Sequence, residues 1–200
     1  MSYIVVEGPI GVGKTTLSRL IAEQLDARLM LEVVEDNPFL AAFYQDPENY
    51  AFKTQAFFLL SRFKQVQDLH QGELFFEHTV SDYLFDKDFI FASLNLTGAE
   101  WDLYQELFRQ LQPKLTTPDL VVYLRASPDL LLQRIAQRNR PFERNIDARY
   151  LRRLGKAYDT FFAQYQAPFY LIEASEVDFV SRYVDRERVV NEILQLLRVA

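Results

Sequence analysis

The chain has 200 residues, 49% of them hydrophobic, enough for one sizeable core and a single domain spanning residues 1–200. A formal net charge of −6 argues against a general nucleic-acid or anionic-membrane binder, whose surface needs a positive field. The absence of cysteine excludes a disulfide framework and thiolate chemistry and suits a reducing, cytoplasmic setting, and neither a secretory leader nor a membrane-length apolar run is read.

The first element is the apolar run Tyr3-Ile4-Val5-Val6-Glu7, a strand. It meets Gly8-Pro9-Ile10-Gly11-Val12-Gly13-Lys14-Thr15, whose spacing is the phosphate-cradling P-loop pattern G-x-x-x-x-G-K-[ST]. Gly8, Gly11 and Gly13 let backbone N–H groups approach an oxyanion, and the helix that follows points its partly positive N-terminus at the same place. Lys14 can neutralise β/γ-phosphate charge, and the Thr15 hydroxyl can hold Mg²⁺. Leu17, Leu20, Ile21 and Leu25 then recur at helical spacing, and Arg28 to Val34 reads as a second strand with Glu32 and Glu35 at its end. In open α/β sheets ligands gather at the carboxyl ends of strands, so these acids share a rim with the P-loop.

Phe39 to Tyr44 reads as a short helix and Asp46-Pro47-Glu48-Asn49 as a turn. A long aromatic helix is expected over Tyr50 to Leu69, stopping at Gln71-Gly72. Gln55 and Arg62 are two turns apart on one side of it, and Gln65 is a further polar insertion. Leu74 to Val80 reads as the third strand, ending at Ser81-Asp82, where an acid can associate with Mg²⁺. Helices are expected over Tyr83 to Leu94 and from Thr97 onward, Thr97 and Glu100 forming a capping box. Leu120 to Leu124 is a doubly buried strand. Next comes a helix with Arg134, Arg138 and Arg140 leading into Pro141-Phe142-Glu143-Arg144-Asn145. Arginine's rigid fork suits phosphate, so residues 138–146 read as an arginine-rich lid. A helix over Asp147 to Tyr165, a strand over Phe169 to Ile172 and a last helix near Asp185 to Val199 complete a five-stranded, doubly wound parallel α/β sheet with helices on both faces.

With the P-loop, strand-end acid, Gln-bearing aromatic helix and arginine lid in one order, the chain resembles the deoxyribonucleoside kinases. The likeness is to the bacterial deoxyadenosine and deoxyguanosine kinase branch, with kinship to the deoxycytidine kinase group. It is carried by Gly8 to Thr15, Glu32 to Tyr44, Gln55 to Arg62, Glu100-Trp101 with Tyr104-Gln105, and Arg134 to Glu143. The resemblance implies a P-loop kinase fold, ATP as donor with Mg²⁺, a deoxyribonucleoside acceptor with deoxyadenosine or another purine favoured, no nucleic-acid or membrane partner, and a homodimer.

By position, the resemblance implies donor binding by Gly8, Gly11, Val12, Gly13, Lys14, Thr15 and Thr16, with Arg134 in support and the loop at Asp178-Phe179 over the adenine. Mg²⁺ falls to Thr15 and Asp82. Glu32 is implied as the base that accepts the 5′-hydroxyl proton, Tyr44 and Glu143 as partners of the 3′-hydroxyl, Gln55 and Arg62 as base-side groups, and Arg138 and Arg140 as arginines that close on the phosphates. One departure stands out. The family usually carries an Asp/Glu-Arg-Ser motif after the third strand, and here the chain reads Ser81-Asp82-Tyr83. Lys87 is the nearby cation expected to replace that arginine by reaching toward Glu32 or the phosphates. Rival readings are a thymidylate-kinase-like monophosphate kinase, which needs extra acceptor-side cations where this chain offers Glu32, Tyr44 and Gln55, and a non-catalytic nucleotide-binding module, whose guanine-reading segments are not found.

Overall fold

The computed structural model describes residues 2–69, 76–143 and 146–197. The expected stop at Gln71-Gly72, the beginning of the third strand at Leu74-Phe75, Arg144-Asn145 of the lid and the end of the last helix at Val199 lie outside the described residues.

Five parallel strands form one sheet in the order β2-β3-β1-β4-β5: β1 (Ser2–Glu7), β2 (Arg28–Met30), β3 (His78–Ser81), β4 (Leu120–Arg125) and β5 (Phe169–Glu173). Between and after them run α1 (Lys14–Leu25), α2 (Leu40–Gln45), α3 (Pro47–Gln67), α4 (Lys87–Asn95), α5 (Gly98–Leu111), α6 (Pro128–Arg138), α7 (Ala148–Gln164) and α8 (Tyr183–Leu197). In β1 and β4, successive residues Ile4, Val5, Val6 and Val121, Val122 are all buried, although alternate side chains point to opposite faces. Both faces of the central strands are therefore covered, as continuous apolar runs in a parallel sheet require. Because every strand runs the same way, Glu7, Met30, Ser81, Arg125 and Glu173 all end on one rim, with β1 at its centre.

A second core lies beside the sheet. Leu40, Phe43, Leu59, Phe85, Tyr104 and Phe108 pack together from α2, α3, α5 and the segment after β3. Phe85 stacks on Phe108 at 5.3 Å and Trp101 on Tyr104 at 6.1 Å. Phe43, Tyr44, Phe58 and Phe142 of this core help wall the cavity between the two cores.

Several boundaries differ from the periodicity for reasons that lie far away in the chain. The second strand was expected to reach Val34 but stops at Met30. The Met30 carbonyl accepts from the Asp82 amide at 3.2 Å, and the Glu32 amide then donates to the Asp82 side chain at 2.7 Å, so the ladder ends and the chain turns into a 3₁₀ turn over Val34–Asp36. The expected turn at Asp46 to Asn49 instead opens α3, with Asp46 accepting from the Asn49 amide and Pro47 in the first turn. The helix expected from Tyr83 begins at Lys87, after a turn in which the Leu84 amide donates to the Glu7 carboxylate at 2.6 Å and the Leu84 carbonyl accepts from the Lys87 amide at 3.1 Å. Thr97 precedes α5 in extended backbone, yet its side chain makes no capping bond, so the expected capping box does not form.

Asp147, by contrast, caps α7 by accepting from the Tyr150 amide at 2.7 Å. Asp147→Ala is therefore expected to cost about 1 kcal/mol, and Thr97→Ala less than about 0.5 kcal/mol. Urea unfolding of the two variants checks this, and equal losses would contradict the capping assignment.

Candidate active site

The loop between β1 and α1 wraps a pocket of backbone amides. Gly8 has φ +151° and a Cβ there would lie 2.3 Å from the Leu124 carbonyl oxygen, so no side chain fits between β1 and β4 at this point. Gly13 has φ +112°, and a Cβ on it would approach the Phe179 ring to 3.2 Å. The Lys14 ammonium donates to the carbonyls of Gly8 at 2.7 Å and Pro9 at 3.2 Å. Removal from water lowers its pKa to about 8, with repulsion from Lys87 adding to the effect against the pull of Glu7, Glu32 and Asp82.

The neighbouring side chains fix this loop rather than hang free. Val12 is buried, and its carbonyl accepts from Arg134 at 2.7 Å. Arg134 also reaches the Ala174 carbonyl at 3.3 Å, so it stitches the loop to the end of β5. Thr16 is exposed in the first turn of α1. Phe179 is buried beneath Gly13, while Asp178 accepts from the Val180 and Ser181 amides at 3.1 and 2.9 Å. Thr16, Arg134, Asp178 and Phe179, with Gly11, Thr15, Arg138 and Arg140, line a cleft of about 640 Å³, within the range of sites that hold whole cofactors.

Asp82, at the end of β3, joins two parts of this rim. One carboxylate oxygen accepts from the Thr15 hydroxyl at 2.5 Å, and the other accepts from the Glu32 amide at 2.7 Å. Two hard oxygens, Thr15 Oγ1 and Asp82 Oδ2, thus lie side by side at the helix start, a donor pair suited to Mg²⁺. Among the described residues no cluster of three or more His, Cys, Asp or Glu side chains is placed to hold a metal, so an ion here must take its remaining ligands from water and phosphate.

Glu32 stands where this cleft meets a second, more enclosed cavity. Both of its oxygens are occupied: Arg62 donates to Oε1, and Lys87 donates to Oε2 at 2.5 Å. The other fork of Arg62 donates to Asp88, which is completely buried. Glu32 and Asp88 face Arg62 and Lys87, and burial pushes the Asp88 carboxyl up to about 7 despite the pull of the Arg62 guanidinium. Burial alone would raise the Glu32 carboxyl, but the Arg62 and Lys87 charges outweigh it and hold the group well below the usual carboxylate range. Arg62 is likewise held charged, because Asp88 and Glu32 more than offset its loss of water, and its guanidinium lies over Phe58 at 4.7 Å.

The enclosed cavity is walled by Tyr44, Gln55, Phe58, Phe142, Glu143 and Tyr150, among others. Tyr44 stacks on Phe142 at 6.1 Å. Glu143 is buried in the 3₁₀ turn Pro141–Glu143 and accepts from Arg138 at 2.6 and 2.7 Å, with Arg140 at 3.8 Å. Gln55 is buried on α3 and no side chain among the described residues holds its amide, which leaves it available to a ligand. The candidates of both substrate sides are thus brought to two adjoining cavities that share Gly11, Lys14, Glu32, Arg138 and Arg140.

Sequence reasoning missed Asp88, Glu7, Phe58, Phe142 and Tyr150. Asp88 carried a weak signal: it lies two residues before Ile90 and four before Ala92 on the buried side of α4. An acid on an apolar helical face needs a partner.

The deoxynucleoside kinase family model matches residues 4–198. Deoxyguanosine kinase of Bacillus subtilis (strain 168) is 33% identical over 205 residues, covering 98% of this chain and 97% of that protein. Deoxyadenosine kinase of Lactobacillus acidophilus is 31% identical over 213 residues, covering 99% and 97%. The solved structure of deoxyadenosine kinase from M. mycoides with products dCMP and a flexible dCDP bound superposes with TM-score 0.84 at 30% identity, covering 96% of this chain and 99% of that one. With a phosphate-binding loop, an acid gripped by two cations beside it and these relatives over its full described length, the chain belongs to the deoxynucleoside kinase family, whose members are ATP-dependent phosphotransferases.

Proposed function

We propose that this kinase transfers the γ-phosphate of ATP to the 5′-hydroxyl of a purine deoxyribonucleoside, with Glu32 accepting the hydroxyl proton. The observation that carries this reading is the Glu32 carboxylate, held ionised by Arg62 and Lys87 at the junction of two cavities. A carboxylate oxygen has two lone-pair directions, so Glu32 can accept from the substrate while keeping both cations. A weak base suffices, because the transfer is largely dissociative and the proton moves late. The same negative charge would repel a phosphate already on the acceptor, which disfavours a monophosphate substrate.

On the donor side, Lys14 and the loop amides would hold the β- and γ-phosphates, with Arg138 and Arg140 closing over them. Thr15 and Asp82 would hold Mg²⁺ together with the nucleotide, and the ion would supply neutralisation of the developing phosphoryl charge. The Asp178-Phe179 segment would border the adenine. On the acceptor side, Tyr44 and Glu143 would hold the 3′-hydroxyl and Gln55 the base edge, where its amide can present both donor and acceptor. Support for a purine comes from the relatives named for deoxyguanosine and deoxyadenosine. Lys87 takes the part of the arginine that the family motif usually supplies, supported by its 2.5 Å contact with Glu32. No helix among the described residues is long and apolar enough to cross a membrane, and the cysteine-free sequence suits the cytoplasm. A homodimer is part of the same reading, supported by the exposed Leu60 of α3 and Leu103 of α5.

Glu32→Gln is expected to lower kcat by about 10²- to 10⁴-fold with deoxynucleoside still binding. Steady-state kinetics with ATP and four deoxynucleosides would test this, and a variant within about tenfold of wild type would refute Glu32 as the base. Lys87→Ala should lower kcat/KM by about 10²-fold, and Lys87→Arg should recover part of that loss. An alanine variant with wild-type kcat/KM would remove Lys87 from the mechanism.

Lys14 must be charged to hold phosphate, and its pKa in the free enzyme is lowered to about 8. Its charge is therefore present below that pH and lost above it, so kcat/KM for ATP should fall on the alkaline side of about 8. Bound phosphates favour the ammonium, so the corresponding limb of kcat should lie at higher pH. A kcat/KM profile that stays flat into the ordinary lysine range contradicts the lowered value.

A further inference from the structure

Glu7 is fully buried at the end of β1, and none of the proposed chemical steps uses it. Its Oε1 accepts from the Gly8 amide at 2.7 Å and from the Tyr158 hydroxyl at 2.9 Å, while its Oε2 accepts from the Leu84 amide at 2.6 Å. Each of those two backbone residues passes the connection on through its own carbonyl. The Gly8 carbonyl accepts from the Lys14 ammonium at 2.7 Å, and the Leu84 carbonyl accepts from the Lys87 amide at 3.1 Å. One carboxylate is thus a single residue away from each of two lysines. Lys14 lies on the donor side, and Lys87 grips Glu32 on the acceptor side.

We infer that Glu7 is a positioning residue that sets the distance between the donor-phosphate lysine and the acceptor clamp, so that γ-phosphate and 5′-hydroxyl meet in reacting geometry. This rests on the reading of Lys14 and Glu32 given above. Two features fit a spacer better than a plain structural bond. The two arms leave different oxygens of one rigid planar group, so neither can lengthen without moving the other. Both also end at segments that no ladder hydrogen bond fixes: the first residue of the phosphate loop, and the turn between β3 and α4. In-line transfer is sensitive to such spacing, since a displacement of about 1 Å from a change outside the reacting groups can cost about 10²-fold in rate.

Glu7→Gln is the discriminating variant. Whichever way the amide turns, its NH₂ faces a backbone N–H, and either the Gly8 or the Leu84 arm is lost. Tyr158→Phe is the control, because it removes the third donor to the same carboxylate and leaves both arms in place. For wild type and both variants, kcat, the KM of ATP and of deoxynucleoside, Tm, and ADP formed per nucleoside phosphorylated are measured. The inference expects Glu7→Gln to lose about 10²-fold in kcat with KM values within about threefold, and to form more than one ADP per product. Tyr158→Phe should keep kcat and that ratio while its Tm falls. Should Glu7→Gln not be recovered folded, Glu7→Asp keeps the charge, shortens the reach and is expected to show the same split.

Wild-type turnover in a Gln variant overturns the inference, as does a loss shared by both variants with the ADP ratio unchanged, which is the mark of a merely structural bond. Wild-type enzyme that phosphorylates no deoxynucleoside overturns the underlying reading instead, and the inference with it.

Discussion

The site depends on the way Glu32 is held between Arg62 and Lys87, with Asp88 on the other fork of Arg62. Removing ions from water costs several kcal/mol each, and their mutual attraction returns that only when geometry is good. A hydrophobic quartet of the same volume would give a fold at least as stable, so the cluster is poor evidence for stability. Its consequence is electrostatic. It fixes a negative carboxylate on Glu32 at neutral pH in a place from which water is largely excluded. Asp88 accepts from the other fork of Arg62 from inside the protein, so Arg62 need not take both of its bonds from Glu32.

Around that cluster the rim is organised by two acids that are themselves at strand ends. Asp82 fixes the backbone of Glu32 and the hydroxyl of Thr15 with its two oxygens, and Glu7 fixes Gly8 and Leu84 with its own. In each case a side chain replaces the ladder hydrogen bond that a longer strand would have made. The short β2 follows from this, and it frees a stretch of backbone to present functional groups. Loss of regular structure and gain of a site are the same event here.

This also explains which parts were legible in the sequence. The phosphate loop was readable because close approach to β4 and positive φ leave glycine as the residue that fits, at a spacing fixed by the backbone. The strands β1 and β4 were readable because doubly buried parallel strands are apolar without alternation. The end of β2 was not, since it is set by Asp82, 50 residues from Glu32, and the turn before α4 is held by Glu7, 77 residues from Leu84. Thr97 and Glu100 show the opposite error: the local pattern suggests a cap, but the side chain does not make it. Asp88 was missed because Asp86-Lys87-Asp88 looks like solvated charge until Arg62, 26 residues earlier, is placed against it. Lys87 was noticed only because a resemblance made an absent arginine conspicuous, while its contact with Glu32 is a fact of the fold.

A chain of net charge −6 must nevertheless receive a polyanion. On the proposed reading it would do so through Lys14, Arg138, Arg140 and Lys87, which line one cavity whose low-dielectric walls concentrate their field. None of these cations is left unopposed. Lys14 rests on loop carbonyls, Arg138 and Arg140 lie against Glu143, and Lys87 rests on Glu32. Phosphate can then compete for donors that are already partly engaged, which costs less reorganisation than drawing in hydrated side chains from the surface. On the proposed reading it would also link the two substrates: an arginine drawn from Glu143 toward phosphate would leave that carboxylate freer to meet a sugar hydroxyl. Glu143 lines one cavity and Arg138 both, so on the proposed reading donor and acceptor would act on one ion pair, and neither would meet a site indifferent to the other.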